Sequence, residues 1–493
     1  MTDHDFEVVE PDPSALIEAL RSFGYSVETS IADLIDNSIT AGAARIDVDF
    51  CWEGDDSWIA ISDDGSGIEP DQMSSVMRPG STNPLADRSG EDLGRFGLGL
   101  KTASFSQARS LTVASRTSTH PEGRFRRWDL DHVGRTGQWQ LLKVPREQSE
   151  RRLGYIGEGS GTIVLWEHLD RVVAPGSRES DRRHFLEAAA RVELHLGAVF
   201  HRFLERPKNR LRIVVNGNDV VPWNPFLPDR SSLLPDERLP APGGGHVLVQ
   251  PYVLPHHSRF DLRADHERAG GIKGWNAQQG FYVYRADRLI VSGDWLVPGF
   301  KPEEHFKLAR ISIDIDQTMD AAWDIDVRKS RARPPSGLKD DLVRISRATR
   351  KRASEVYRHR GQRLSKLALT TKQVAVWLAR KQNDEFVYSV NRSHSLIGNA
   401  LDPEHDRDTA VRALLELVER TLPIAQIVYD YSTDLEAQVD PDSRDVGSDL
   451  IESARATFLT LVASGTDPMV AKQVILELEP FYNHPDIVEA LDE

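Results

Sequence analysis

One cysteine, Cys51, is all that the 493 residues hold, which excludes an internal disulfide and any zinc site built from four thiolates. No apolar run approaches the ~20 residues that a membrane-crossing helix needs. The opening residues, MTDHDFEVVEPDPSAL, are acidic and lack the basic and apolar segments of a secretion signal. A cytoplasmic protein with no membrane association is the expectation. Internal repeats and low-complexity tracts are also missing. Apolar residues make up 39% and charged residues 28%, an ordinary globular balance at a length that suggests two to four domains.

The net charge of −15 argues against a surface that binds nucleic acid everywhere. The charge is unevenly spread, however. Residues 328–381 hold 17 Lys and Arg against 3 Asp and Glu, whereas 382–493 hold 7 against 23. A basic block therefore lies between two acidic regions. On a helix, Arg347, Arg350, Lys351, Arg352, Arg358, Arg360, Arg363 and Lys366 would form a positive stripe suited to phosphates. The alternative is neutralisation of the block by the acidic tail.

Periodicity predicts helices over 14–22, 28–43, 100–108 and 181–204. It predicts strands in ARIDVDF, SWIAISDD, LTVASR, RFRRWDL, GQWQLLKV and GTIVLWEHL, and a hairpin over 210–226 that turns at Asn216-Gly217. A Pro-rich break with Gly243-Gly244-Gly245 marks a boundary. Residues 246–333 read as mostly β, and from 337 the pattern is helical to the end. The expected domains are 1–227, 228–336 and 337–493, the last being basic over 337–381 and acidic over 382–493. The fold class is α+β.

Four segments carry chemistry. In Asp33-Leu34-Ile35-Asp36-Asn37-Ser38, Asp33 and Asn37 share a helix face, with Glu28 more than a turn upstream. A carboxylate there can polarise water and an amide oxygen can ligate Mg2+, although an acidic helix face is by itself usually only solvated. Asp63-Asp64-Gly65-Ser66-Gly67 ends a strand, where a carboxylate can accept from an amino group and glycines allow a tight turn. Gly94-Arg95-Phe96-Gly97-Leu98-Gly99-Leu100-Lys101-Thr102 leads into a helix whose N–H groups can meet phosphate. Its spacing matches neither a P-loop nor a dinucleotide fingerprint. Gly159-Ser160-Gly161-Thr162 enters a strand. Each segment alone is weak, and their order and spacing are what is specific.

Together they resemble the Bergerat-fold family of gyrase B, heat-shock chaperone ATPases, histidine kinases and MutL (the GHKL superfamily), over roughly residues 15–225. The resemblance implies an α/β sandwich with a mixed sheet and helices on one face. It implies that Asn37 holds Mg2+ against ATP phosphates, and that Asp63 reads adenine with Thr162 assisting. It makes 78–99 a lid that brings Gly94, Gly97, Leu98, Gly99 and Lys101 near the phosphates. Hydrolysing relatives place Glu where this chain has Asp33, so weak or regulated turnover is expected, with Asp33 or Glu28 as base.

The segment Trp323-Asp324-Ile325-Asp326-Val327-Arg328-Lys329 resembles the MutL stretch that precedes a phosphate-sensing Lys, which assigns that role to Lys329. The wording IADLIDNS and FGLGLKTASFSQ is most similar to prokaryotic MutL/MORC-like ATPases. That branch implies an ATP-closed homodimer working in a DNA-directed system such as restriction, phage defence or repair. It also implies DNA contact through 328–381 and separate helicase or nuclease partners. The alternative is an ATP-gated chaperone or signalling scaffold without a DNA role. His256-His257 has no ligand partner at suitable spacing, and Trp166, Trp223, Trp275, Tyr282 and Tyr284 read as packing residues.

Overall fold

The computed structural model describes residues 11–80, 99–153, 159–173, 179–241, 245–316 and 331–367. It also describes 319–320, 322–326, Lys329, 376–382, 385–394, 408–421, 448–463, 465–478 and a few single residues. The chain divides into two compact units, Met1–Ser354 and Glu355–Glu493.

The first unit opens with helices α1 (Pro13–Arg21) and α2 (Val27–Thr40), then strands β1 (Arg45–Cys51) and β2 (Trp58–Asp63). The short helix α3 (Met73–Met77) and α4 (Gly99–Phe105) flank the Gly-rich segment. Strands β3 (Ser110–Arg116) and β4 (Arg124–Asp129), helices α5 (Leu130–Thr136) and α6 (Glu147–Arg152), and strand β5 (Gly161–Glu167) follow. Helices α7 (Glu179–Val199) and α8 (His201–Leu204) and the small strands β6 (Arg212–Val215) and β7 (Asn218–Asp219) complete this layer. The seven strands form one mixed sheet in the order β4-β3-β5-β2-β1-β6-β7, with β1 and β6 parallel.

Alternation along the strands gives the sheet two different faces. Ile46, Val48, Ile59, Ile61, Val113, Val164 and Trp166 point into one core with Ile31, Leu34 and Ile35 of α2 and Phe185, Val192 and Leu196 of α7. Among the described residues, the opposite ones, Ala60, Ala114, Ile163 and Leu165, cluster with Leu153 and the partly buried Trp58 and Phe125. The helices that matter thus lie on one face, as the resemblance implied. Asn216 and Gly217 both take positive φ, 48° and 83°, the two-residue turn that the sequence suggested.

A second sheet follows from β8 (Ser232–Leu233), β9 (Glu237–Pro240), β10 (His246–Val253), β11 (Gly280–Arg285), β12 (Arg288–Asp294) and β13 (Ala309–Ile315). Helices α9 (Arg263–Gly270) and α10 (Gly274–Ala277) fill the crossover from β10 to β11, which is parallel to β13. This sheet docks against the end of α7–α8. Arg206 holds Asp287 at 2.7 Å, Arg202 lies 3.6 Å over the Tyr284 ring, and His201 Nε2 is 2.9 Å from the Tyr284 hydroxyl.

Two local expectations change, and the mostly β region from 246 gains two short helices. GQWQLLKV is not a strand, because only Leu142 bridges to Arg127, and its neighbours on either side are α5 and α6. The region from 246 contains α9 and α10 as well as strands. The second unit is not wholly helical, since β14 (Trp377–Gln382) and β15 (Glu385–Val390) pair as an antiparallel hairpin rich in β-branched and aromatic residues. Helices span Asp408–Thr421, Ser448–Ala463 and Pro468–Ile475. Among the described residues, no helix is long and apolar enough to cross a membrane.

The basic stripe also changes within α11 (Lys339–Leu367). Arg350 is 8% exposed, donates to Glu303 at 2.6 Å and lies 3.7 Å over the Phe306 ring, near Trp295 and Phe300. Arg344 pairs with Glu237 and Asp341. Arg347, Lys351 and Arg352 are the exposed cations of the helix in the first unit besides Arg344 and Lys339. Arg350→Glu is therefore expected to cost about 2–4 kcal/mol in urea unfolding, by placing a carboxylate where a buried guanidinium makes cation–π contacts and a half-exposed ion pair. Arg347→Glu should stay within about 0.5 kcal/mol of wild type. Equal small effects at both positions would contradict this assignment.

Candidate nucleotide site

Helix α2 begins at Ser26, which caps it reciprocally with Thr29. Its apolar side is fixed in the core, so Asp33, Asp36 and Asn37 must lie along the other side. Asn37 is exposed, whereas Asp33 and Asp36 are 3% and 0% exposed. Two residues of the second sheet region cover them. The Lys329 ammonium lies 2.5 Å from Asp36 Oδ2 and 3.7 Å from Asp33 Oδ1. Arg288 Nε is 2.8 Å from each Asp36 oxygen, and its Nη2 is 3.5 Å from Asp33 Oδ1.

On the other side of Asp33, the Tyr25 hydroxyl donates to Oδ2 at 2.9 Å. A Cβ on Gly99 would stand 4.0 Å from that same oxygen, so the start of α4 is beside it. Burial pushes the Asp33 carboxyl up, against the pull of Lys329 and Arg288. Burial and the neighbouring carboxylate push the Tyr25 phenol far up, so it stays a donor. Glu28 is turned elsewhere, accepting from Arg191 Nε at 2.9 Å. Burial alone would raise its carboxyl, but hydrogen bonds to its own backbone N–H and to Arg191 outweigh that and hold it below the ordinary value.

The far end of α2 meets a row of three strands. Asp63 on β2 stands opposite Thr162 on β5, which stands opposite Ser115 on β3. Ser38 donates to Asp63 Oδ2 at 2.7 Å, Gly65 N–H donates to Oδ1 at 3.0 Å, and the Ser115 and Thr162 hydroxyls are 2.8 Å apart. Burial raises the Asp63 carboxyl despite these donors. The glycines are required by close approach. A Cβ on Gly67, whose φ is +76°, would lie 2.0 Å from the Arg116 carbonyl, and one on Gly161 would lie 2.2 Å from the Asp63 carbonyl. Asp64 instead accepts from the Ala44 and Arg45 amides at 2.8 Å and fastens the turn.

Lys101 differs from expectation in its direction. It is 2% exposed, and its ammonium donates to the Val76 carbonyl at 2.8 Å at the end of α3. Burial pulls it down to about 8. Gly94, Gly97 and Leu98 lie outside the described residues. The sequence pattern did not single out Tyr25, Asp36, Ser38, Ser115 or Arg288. Asp36 and Ser38 flank Asn37 in the motif and could have been read from it. Nothing local marks Arg288, at the end of the two-residue turn Ala286-Asp287 whose φ values are 48° and 66°.

Among the described residues, no three His, Cys, Asp or Glu side chains are grouped to hold a metal alone. An exposed amide such as that of Asn37 fits Mg2+ of the kind that takes most of its ligands from phosphate and water.

With this geometry, residues 25–162 match the family described as histidine kinase-, DNA gyrase B-, and HSP90-like ATPase. The chain thus carries an ATPase domain of the GHKL superfamily. Within that superfamily it is of the MutL-like type. It is 36% identical over 129 residues to the DNA mismatch repair protein MutL of Paramagnetospirillum magneticum, covering 25% of this chain and 20% of that one. It is 29% identical over 297 residues to MutL of Xanthomonas oryzae pv. oryzae, covering 57% and 40%. A third match, MutL of Pseudomonas fluorescens, is 36% identical over 109 residues, covering 21% and 16%. The chain therefore spans less than half the length of these curated relatives.

The buried Lys101 gives a pH test. The folded chain releases this proton near 8 and the unfolded chain near 10.5, so the unfolded state binds more protons in between. Stability should rise with pH across that window, by up to roughly 1.4 kcal/mol per pH unit, and the penalty is fully present below it. Lys101→Met should remove this slope in urea unfolding. Parallel pH profiles for the two proteins would contradict it.

Proposed function

We propose that the protein binds Mg-ATP along α2 and hydrolyses it slowly, using Asp33 as the base and Lys329 as the phosphate sensor. The convergence of Lys329 on the buried carboxylates of α2, within one chain, is the observation that carries this reading. Asp63 accepts from the adenine amino group, and Thr162, in hydroxyl contact with Ser115, assists. Asn37 supplies one Mg2+ ligand, and the ion would offset charge on the phosphates. N–H groups of the Gly94–Gly99 segment approach the phosphates, and Lys101 braces that segment's exit against α3.

Both oxygens of Asp33 are engaged, one by Tyr25 and the other by Arg288 and Lys329. One must be freed before it can take a proton from water. Asp33 is also one methylene shorter than Glu, roughly 1 Å less reach. Both features favour slow or regulated turnover. Glu28, held by Arg191, is the poorer base.

The relatives are named for DNA mismatch repair, and a DNA-directed role follows for this chain by analogy. ATP closes a homodimer, Arg347, Lys351 and Arg352 of the basic block contact DNA phosphates, and helicase or nuclease partners act with it. Restriction or phage defence fits such an assembly. The second reading, an ATP-gated chaperone or signalling scaffold, is favoured by the fully engaged state of Asp33.

Phosphate release with Mg-ATP tests the site. Asn37→Ala should abolish it, and Asp33→Asn and Lys329→Met should each lower it about 100-fold or more. Glu28→Gln should change it less than about threefold. ATP binding without release in the wild type would overturn the hydrolysis claim and favour the ATP-gated scaffold. Salt-dependent DNA binding, lost in the Arg347→Glu, Lys351→Glu, Arg352→Glu triple variant, is expected. Its absence, with ATP-dependent dimerisation intact, would favour the scaffold.

A further inference from the structure

Arg288 and Asp36 have no part in the reaction just described, yet they are among the most buried charges of the first unit. Asp36 is 0% exposed and Arg288 3%. Arg288 reaches α2 from the first position of β12, next to a tip that is itself anchored. Arg206 and Arg202 hold Asp287 at 2.7 and 3.5 Å. Besides the carboxylates, Arg288 Nη1 donates to the carbonyls of Leu289 and Lys329 at 3.3 and 3.4 Å. It therefore touches both the acceptor of the Lys329 ammonium and the backbone that carries it.

Lys329 is also held in an unusual backbone state. Its φ is +48°, a region that residues other than glycine seldom occupy and that concentrates at functional sites. Its N–H donates to the Asp326 carbonyl at 3.0 Å, and Asp326 Oδ1 accepts from the Arg331 amide at 3.0 Å, so Asp326 ties down the backbone of both residues. The ammonium then rests on Asp36, 1.2 Å closer than to Asp33.

A cation that must contact a phosphate in one state and a carboxylate in another has to leave the carboxylate behind. Removing one partner of a buried pair leaves an uncompensated charge, which is strongly unfavourable. Arg288 removes that obstacle, because its Nε stays on both oxygens of Asp36 after Lys329 goes. We infer that Asp36 is the resting acceptor of Lys329, and that Arg288 is the fixed counter-ion that lets Lys329 transfer to the terminal phosphate of a nucleoside triphosphate. Both are positioning residues acting through Lys329. The inference rests on the ATP-site reading above and adds what controls the sensor.

Equilibrium binding of ADP and of a non-hydrolysable ATP analogue to the full chain with Mg2+ tests it. The readout is the ratio of the two affinities, since only the triphosphate offers Lys329 its alternative partner. Asp36→Asn removes the competing anion and should raise the preference for the triphosphate analogue about tenfold. That gain should vanish in an Asp36→Asn, Lys329→Met double variant. Arg288→Met strands Asp36 on Lys329 and should lower the preference about tenfold, with partial recovery in Arg288→Lys. A purely structural cluster would shift both affinities, or the thermal midpoint, without moving the ratio, and that result overturns the inference. If Asp36→Asn does not fold, the Arg288→Met and Arg288→Lys pair decides by the same ratio. If the wild type binds the triphosphate analogue better than ADP and no variant alters this, the inference alone falls. If the wild type binds neither nucleotide, the ATP-site reading falls and takes the inference with it.

Discussion

Asp33 and Asp36 lie three residues apart on α2 and are almost wholly removed from water. Burying two carboxylates side by side is unfavourable by several kcal/mol unless cations meet them. Among the described residues, no cation of the first sheet layer does so. The compensation comes from Lys329 and Arg288, both beyond the boundary near residue 227. The ATPase layer and the second sheet are therefore joined through the site itself, and the docking of α8 on Asp287 and Tyr284 holds that join in register. A change in charge at this end of α2 would be felt directly by the second sheet. Under the proposed ATP-site reading, this is a physical route from nucleotide state to the second sheet, without a long relay through the core.

The Asp63 end obeys a different constraint, that of strand register. Asp63, Thr162 and Ser115 come from three separate stretches of sequence and form one row only because β2, β5 and β3 pair at those residues. A slip of one residue would turn each side chain to the other face. The apolar alternation that seats Ile61, Val164 and Val113 in the main core prevents that slip. The close contacts at Gly67 and Gly161 then bring the backbone of neighbouring strands tight against the row.

Much of this was legible in the sequence because local pattern and global fold agree there. The α2 motif, the strand ends at Asp63 and Thr162 and the Asn216-Gly217 turn are set by short-range periodicity and turn chemistry. The helical pair Asp33 and Asn37 was readable, but its unequal burial was not, because one side of Asp33 is covered by residues hundreds of positions away. Arg288 had no local signature for the same reason. GQWQLLKV misled because alternating apolar residues suggested a strand, whereas only Leu142 finds a bridging partner. Arg350 looked like part of a phosphate-binding stripe, yet the aromatic ring of Phe306 and the carboxylate of Glu303 claim it.

The central claim is that this row and this helix form one adenine-nucleotide site. Calorimetric titration of the full chain with Mg-ATP and with Mg-GTP, for the wild type and Asp63→Asn, tests it most directly. A single saturable ATP site per chain, a clear preference for ATP over GTP, and loss of that preference in Asp63→Asn at an unchanged thermal midpoint are expected. Equal affinity for both nucleotides, or ATP binding that ignores Asp63, would contradict the account.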